Sequence, residues 1–191
     1  MTQLTVKALP VSLESFDKLC VDVLVLGPFE GERPLRGAAG YCDWRLNGRL
    51  SRMLLDESFL GKPRDVVLTD TGDRIGSPRV LLFGQGKRVS LDLTIFKRRV
   101  RKMIVDVKKA KFSSYAIELP GVDPGPLHPE QAISEFLDAA ATIFREGAVT
   151  LFCHSTRFCE QISEAIAGDD RITLVGSGLF SAEESQAEQE E

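Results

Sequence analysis

One stretch constrains this chain more than any other: Arg79-Val80-Leu81-Leu82-Phe83-Gly84-Gln85-Gly86-Lys87-Arg88. Four consecutive apolar residues run into Gly-x-Gly and then two cations. So short and unbroken an apolar run fits a strand buried on both faces. The glycines let the backbone turn where a side chain would clash. The segment from Leu91 to Ala110 then carries Leu93, Phe96, Val100, Met103, Ile104 and Val107 at spacings of three and four, the apolar stripe of one amphipathic helix. The spacing therefore predicts a strand–turn–helix unit with Val80–Phe83 as a central strand.

The flanking sequence repeats this alternation. Strands are predicted at Leu4–Leu9 (read as an edge), Val21–Leu26, Asp65–Thr69, Ser113–Leu119, Val149–Cys153 and Arg171–Val175. Helical patterns occupy about Leu35–Leu55 with a break near Asn47-Gly48, then Pro129–Arg145 and Thr156–Ala167. Ser12–Lys18 reads as a short connector and Asp123–Pro129 as a loop. Strands alternating with helices predict an α/β fold of three layers, α/β/α, around a mixed, largely parallel sheet. A length of 191 residues suits one domain of residues 1–175. Residues 176–191 are expected to form an acidic, disordered tail.

The N-terminus lacks a basic segment followed by an apolar one, and no apolar run is long enough to cross a bilayer. A cytoplasmic protein without membrane contact is expected. The four cysteines have no framework or zinc spacing, so no metal or cofactor is expected.

Several residues look familiar in order. Asp22-Val23-Leu24-Val25-Leu26-Gly27 with Phe29-Glu30, then Asp43 to Leu50, then Phe59-Leu60-Gly61-Lys62, then Val80 to Lys87, resemble the N-terminal domain of the M17 leucyl aminopeptidases. The resemblance spans Val21 to Leu119 and departs from the family pattern at Trp44, Asn47 and Gln85. It implies a macrodomain-like fold. The family's dinuclear-metal chemistry belongs to a separate C-terminal domain, whose signature Asn-Thr-Asp-Ala-Glu-Gly-Arg does not occur in this sequence. The resemblance thus implies a non-catalytic module with an interaction or regulatory role. The expected partner is an unidentified protein, with an aminopeptidase subunit and a second copy of this chain among the candidates.

Two alternatives stay open. A macrodomain-like module could bind a nucleotide or ADP-ribose. Gly37-Ala38-Ala39-Gly40 is the nearest approach to the Asn-Ala-Ala-Asn stretch of macrodomains, and Gly84, Gln85, Gly86 and Lys87 form a candidate ligand loop, set against a purely structural turn. The second alternative is weak binding of DNA or another polyanion by the basic helix. Lys97, Arg98, Arg99, Arg101, Lys102, Lys108, Lys109 and Lys111 crowd it, set against an ordinary solvated face.

Overall fold

A computed structural model describes residues 3–122 and 125–177; the expected tail at 178–191 lies outside the described residues. The chain runs β1 (Leu4–Pro10), α1 (Leu13–Asp17), β2 (Val23–Leu26), α2 (Gly37–Arg45), α3 (Arg49–Leu55), β3 (Val66–Asp70), β4 (Arg79–Phe83), α4 (Leu93–Lys109), β5 (Ser114–Ile117), α5 (Pro129–Ile143), β6 (Gly147–Cys153), α6 (Thr156–Ile166) and β7 (Ile172–Ser177). The strands form one seven-stranded sheet in the order β3-β4-β2-β5-β6-β1-β7. β3 runs antiparallel to β4, and every other pairing is parallel. The architecture is the three-layer α/β/α arrangement with a mixed, mostly parallel sheet.

Period-two alternation sorts the sheet side chains into two cores. Val23, Val25, Leu81, Phe83, Tyr115 and Ile117 join Phe96, Val100, Met103 and Val107 of α4 and the apolar stripes of α5 and α6. Leu24, Leu26, Val80, Leu82 and Ala116 face the other way, onto Phe16, Ala38, Cys42, Leu50 and Leu54 of α1–α3. A strand buried on both faces needs apolar residues at every position, which is why β2 reads Val-Leu-Val-Leu.

Four expectations change. Val80–Phe83 is not central: β4 lies second from one edge, and β5 holds the middle. Val80–Phe83 is still buried, because helices cover both faces and β3 folds back along its outer side. The first strand is not an edge either, since β7 returns beside β1 and covers it. Ser12–Lys18 is a helix rather than a connector. The Ser12 hydroxyl caps it, accepting the Ser15 N–H at 3.2 Å. The last strand continues to Ser177, two residues into the segment expected to be tail.

Asp22 ties the starts of β2 and β5 together. Its Oδ2 accepts Ser113 N–H at 2.7 Å, Ser113 O–H at 2.8 Å and Ser114 N–H at 2.9 Å. The Ser113 hydroxyl chiefly, with the two backbone N–H groups, holds the Asp22 carboxyl below its ordinary range, against the opposing cost of burial. A depressed folded-state value means stability that is present above the unfolded carboxylate range and lost as pH falls through the folded value. Asp22→Asn is therefore expected to lower stability by about 1–3 kcal/mol at neutral pH, from weakened charge-assisted bonds. In urea melts across pH, the gap between variant and wild type should close toward the acid limit. A gap constant with pH would contradict this role.

Candidate functional site

The sheet's connections diverge between β2 and β5. The chain leaves β2 toward β3 and β4 on one side, and leaves β5 toward β6 on the other. In open α/β sheets, ligands bind outside the carboxyl ends of the strands at such a switch point. A crevice lies at that place. Its lining includes Gly27, Pro28 and Phe29 after β2, Glu118 to Gly121 after β5, Arg36 and Gly37 at the start of α2, and Glu32 with Arg88 at its mouth.

Glu118 occupies the floor. Its Oε2 accepts the Ala38 N–H in the first turn of α2 at 3.0 Å, and its Oε1 lies 2.5 Å from His154 Nε2 just past β6. Arg36, at the N-cap of α2, makes no side-chain cap bond. A carboxylate from the end of β5 thus serves the Ala38 N–H and the helix dipole that an anion would otherwise meet. Gly37 allows this approach: its φ is +54°, and a Cβ there would stand 2.0 Å from Glu118 Oε1. At the mouth, Glu32 accepts the Phe29 N–H at 2.9 Å through Oε2 and pairs with Arg88 at 3.2 Å through Oε1. The Arg88 guanidinium lies 4.3 Å from the centre of the Phe29 ring. Closed in this way, the crevice has a volume of about 40 Å³. That is room for water, well short of the ~300 Å³ of an ordinary ligand pocket.

The crevice meets a larger, open groove at Arg36 and Gly37. This groove, of about 420 Å³, runs between α1 and α2 and is lined by Leu13, Leu35, Gly40, Tyr41 and Trp44. Trp44 is 63% exposed and Tyr41 39%. The Arg45 guanidinium lies over the Trp44 ring, 5.1 Å from its centre, and the aromatic surface that stays exposed beside the small crevice is one on which a flat ring can stack.

The Gly84-Gln85-Gly86-Lys87 loop lies next to the crevice, but its amides are in use. Gly84 N–H donates to Asp65 O at 2.9 Å, Gln85 N–H to Pro28 O at 3.0 Å and Gly86 N–H to Gly61 O at 2.7 Å. These are the groups that would cradle a phosphate, and they instead lock three loops together. The Gln85 side chain is buried; its Nε2 donates to Phe83 O at 3.1 Å, and its Oε1 has no hydrogen-bond partner among the described residues. Lys87 is exposed.

The basic helix is partly neutralised. Lys97 pairs with Glu135 of α5 at 2.5 Å, Arg101 with Asp138 at 3.6 Å, and Lys102 with Asp106 one turn on. Lys108 Nζ donates to Ile143 O at 2.5 Å. Arg99 folds inward, and burial lowers its pKa. Arg98 and Lys109 remain exposed on the solvent side. Lys111, just past α4, takes a positive φ of +61°. The eight cations therefore do not form one free face.

Cys153 and Cys159 are both buried. The Cys153 thiol is pushed up by its hydrogen bond with Cys159 and by burial. Among the described residues, no group of three or more His, Cys, Asp or Glu side chains is placed to hold a metal ion. No helix among them is long and apolar enough to cross a membrane.

The fold is shared with known macrodomains. A Trypanosoma brucei macrodomain in complex with ADP superposes with a TM-score of 0.67 at 14% identity, over 86% of this chain and 69% of that one. An Oceanobacillus iheyensis macrodomain gives 0.63 at 16% identity, over 86% and 90%. Tomato leucine aminopeptidase gives 0.57 at 17% identity, over 86% of this chain and 35% of that one. Residues 25–148 match the N-terminal domain of the cytosol aminopeptidase family, and the chain belongs to that family. Among its relatives, a probable cytosol aminopeptidase of Alkaliphilus oremlandii is 27% identical over 137 residues, which are 70% of this chain and 27% of the relative. One of Cyanothece sp. is 27% identical over 119 residues, 62% of this chain and 24% of the relative. The chain thus spans about a quarter of the length of these relatives. The family match falls on the non-catalytic domain alone.

Sequence reasoning missed Glu118, His154, Arg36 and the Tyr41–Trp44 groove. No local pattern marks them, because the switch point at the carboxyl ends of β2 and β5 depends on the strand order of the folded sheet.

The glycine loop's packing has a direct test. A Cβ at Gly84 would fall 2.0 Å from Lys62 O and 2.5 Å from Gly61 C, both backbone atoms that cannot rotate away. Gly84→Ala is expected to cost about 1–3 kcal/mol in denaturant unfolding. Unchanged stability would show that the loop is not the packed joint described here.

Proposed function

We propose that the chain is a non-catalytic, macrodomain-type binding module whose crevice at the carboxyl ends of β2 and β5 takes a phosphate-bearing nucleotide of the ADP-ribose class. The observation that carries this reading is the junction at Arg36–Gly37. There a small polar crevice at the switch point opens into a groove walled by Tyr41 and Trp44. The phosphate end belongs near the first turn of α2, between Arg36 and Arg88. The base belongs against the aromatic pair. Solved macrodomains of the same fold include Oceanobacillus iheyensis proteins described with ADPR and with ADP, which supports the reading by analogy of fold.

Glu118 opposes this ligand. Its carboxylate holds the Ala38 N–H that a phosphate would use. Entry of an anion requires the carboxylate to swing aside, which costs binding energy. Wild-type affinity is therefore weak.

A second reading, an interaction or regulatory role toward a protein such as an aminopeptidase subunit, is favoured by the exposure of Trp44 in a chain that matches one domain of a larger family. Polyanion binding through α4 is the weaker proposal, because carboxylates of α4 and α5 already face Lys97, Arg101 and Lys102.

Isothermal calorimetry with ADP-ribose, ADP and AMP separates these readings. Glu118→Gln is expected to tighten ADP-ribose binding by about tenfold, since it removes a half-buried like charge, and Arg36→Ala is expected to weaken it by a similar factor. Absence of heat from both wild type and Glu118→Gln at millimolar ligand would end the nucleotide reading.

A further inference from the structure

The outer edge of the sheet at β3 is built to be covered. Residues 65 and 84 pair through the Gly84 N–H to Asp65 O bond, and residues 71 and 78 through the Thr71 N–H to Pro78 O bond. In an antiparallel ladder these mark the odd residues of β3 as the ones whose backbone groups face β4. The even residues Val66, Leu68 and Asp70 turn their N–H and C=O groups outward. The Asp70 carbonyl is taken by Arg49 Nη1 at 2.8 Å. For Val66 and Leu68 the ladder geometry leaves the outward groups at the rim, and no bond outside the ladder is made by them among the described residues.

The side chains are equally unguarded. Val66 is 41% exposed and Leu68 52% exposed, while Val67 points the other way into the α2–α3 core. Natural edge strands are protected by a charge, a proline or a bulge. No charged or proline residue lies between Asp65 and Asp70, and the register with β4 runs unbroken over all five positions. A flat, apolar, open edge of this kind is a pairing surface.

We propose that β3 pairs antiparallel with β3 of a second copy of this chain, about a two-fold axis at Val67, to give one continuous sheet across a dimer. The strand's own sequence selects the occupant and the register. With Val67 on the axis, Val66 of each copy faces Leu68 of the other, and these even positions are the ones with outward backbone groups, so they form hydrogen-bonded pairs. The same register brings Arg64, in the turn before the strand, beside the partner's Asp70 at both ends. Both side chains are exposed, and Asp70 would share its carboxylate between the partner's Arg64 and its own Arg49, whose Nη1 lies 3.7 Å from Oδ1. Moving the register one pair either way sets Leu68 against the partner's Arg64, or Val66 against the partner's Asp70. Only the Val67-centred register matches apolar with apolar and positive with negative. Cross-strand pairs of these kinds each favour association modestly.

Sedimentation equilibrium on the full chain tests the proposal. Wild type is expected to show a reversible monomer–dimer equilibrium of the 21.1 kDa chain. Leu68→Lys is expected to abolish the dimer while thermal melting and circular dichroism stay unchanged, since the side chain is outside both cores. Leu68→Pro gives an independent check. Its N–H points away from β4, so the monomer ladder survives, as prolines on edge strands allow. Arg64→Asp should weaken the dimer about tenfold, and adding Asp70→Arg should restore it. A wild type that stays monomeric up to millimolar concentration, or a dimer indifferent to both Leu68 variants, would overturn the proposal. Weakening by Leu68→Lys without rescue by the charge exchange would overturn the register.

Discussion

The Glu118 carboxylate is the contact on which the crevice depends. It leaves the end of β5, receives the first-turn N–H of α2 and meets His154 beyond β6, so one side chain joins three elements that are distant in sequence. A helix start without a cap of its own leaves N–H groups that must be served, and here a carboxylate from outside the helix serves one. Gly37 permits it, because any Cβ would collide with the carboxylate. The same contact decides what the crevice can accept. The anion held there is the chain's own carboxylate.

This explains how one fold can sit between two kinds of protein. The strand order and three-layer build are shared with solved macrodomains. The family match is to a domain that accompanies a peptidase. The proposed recognition rests on charge at Arg36 and Arg88, on the exposed rings of Tyr41 and Trp44, and on the open outer side of β3.

The fold was legible where the signal is local. The three-and-four spacing in α4, the all-apolar β2 and β4, and the glycines that break the chain each depend on residues close in sequence. The position of β4 was not legible. Its apolar run reports burial on two faces, and a penultimate strand shielded by β3 is as buried as a central one. The same holds for the glycine loop. Gly-x-Gly-Lys announces free amides, but Asp65 O, Pro28 O and Gly61 O, far off in sequence, capture them. Glu118 carries no motif, and its partners Ala38 and His154 lie on either side of it at long separations. The pairing of Lys97 with Glu135 likewise depends on the α4–α5 contact, which no local pattern reveals.

The central claim is that the crevice around Glu118, and not the glycine loop, is where this module meets a ligand. Backbone amide NMR of the labelled protein during titration with ADP-ribose addresses it residue by residue. The account predicts shift changes at Ala38, at Gly27 and Phe29, at Leu119 and Gly121, and at the Trp44 indole N–H, with the amides of Gly84 to Gly86 nearly still. Changes confined to Gly84–Lys87 or to α4, or none at millimolar ligand, would contradict it.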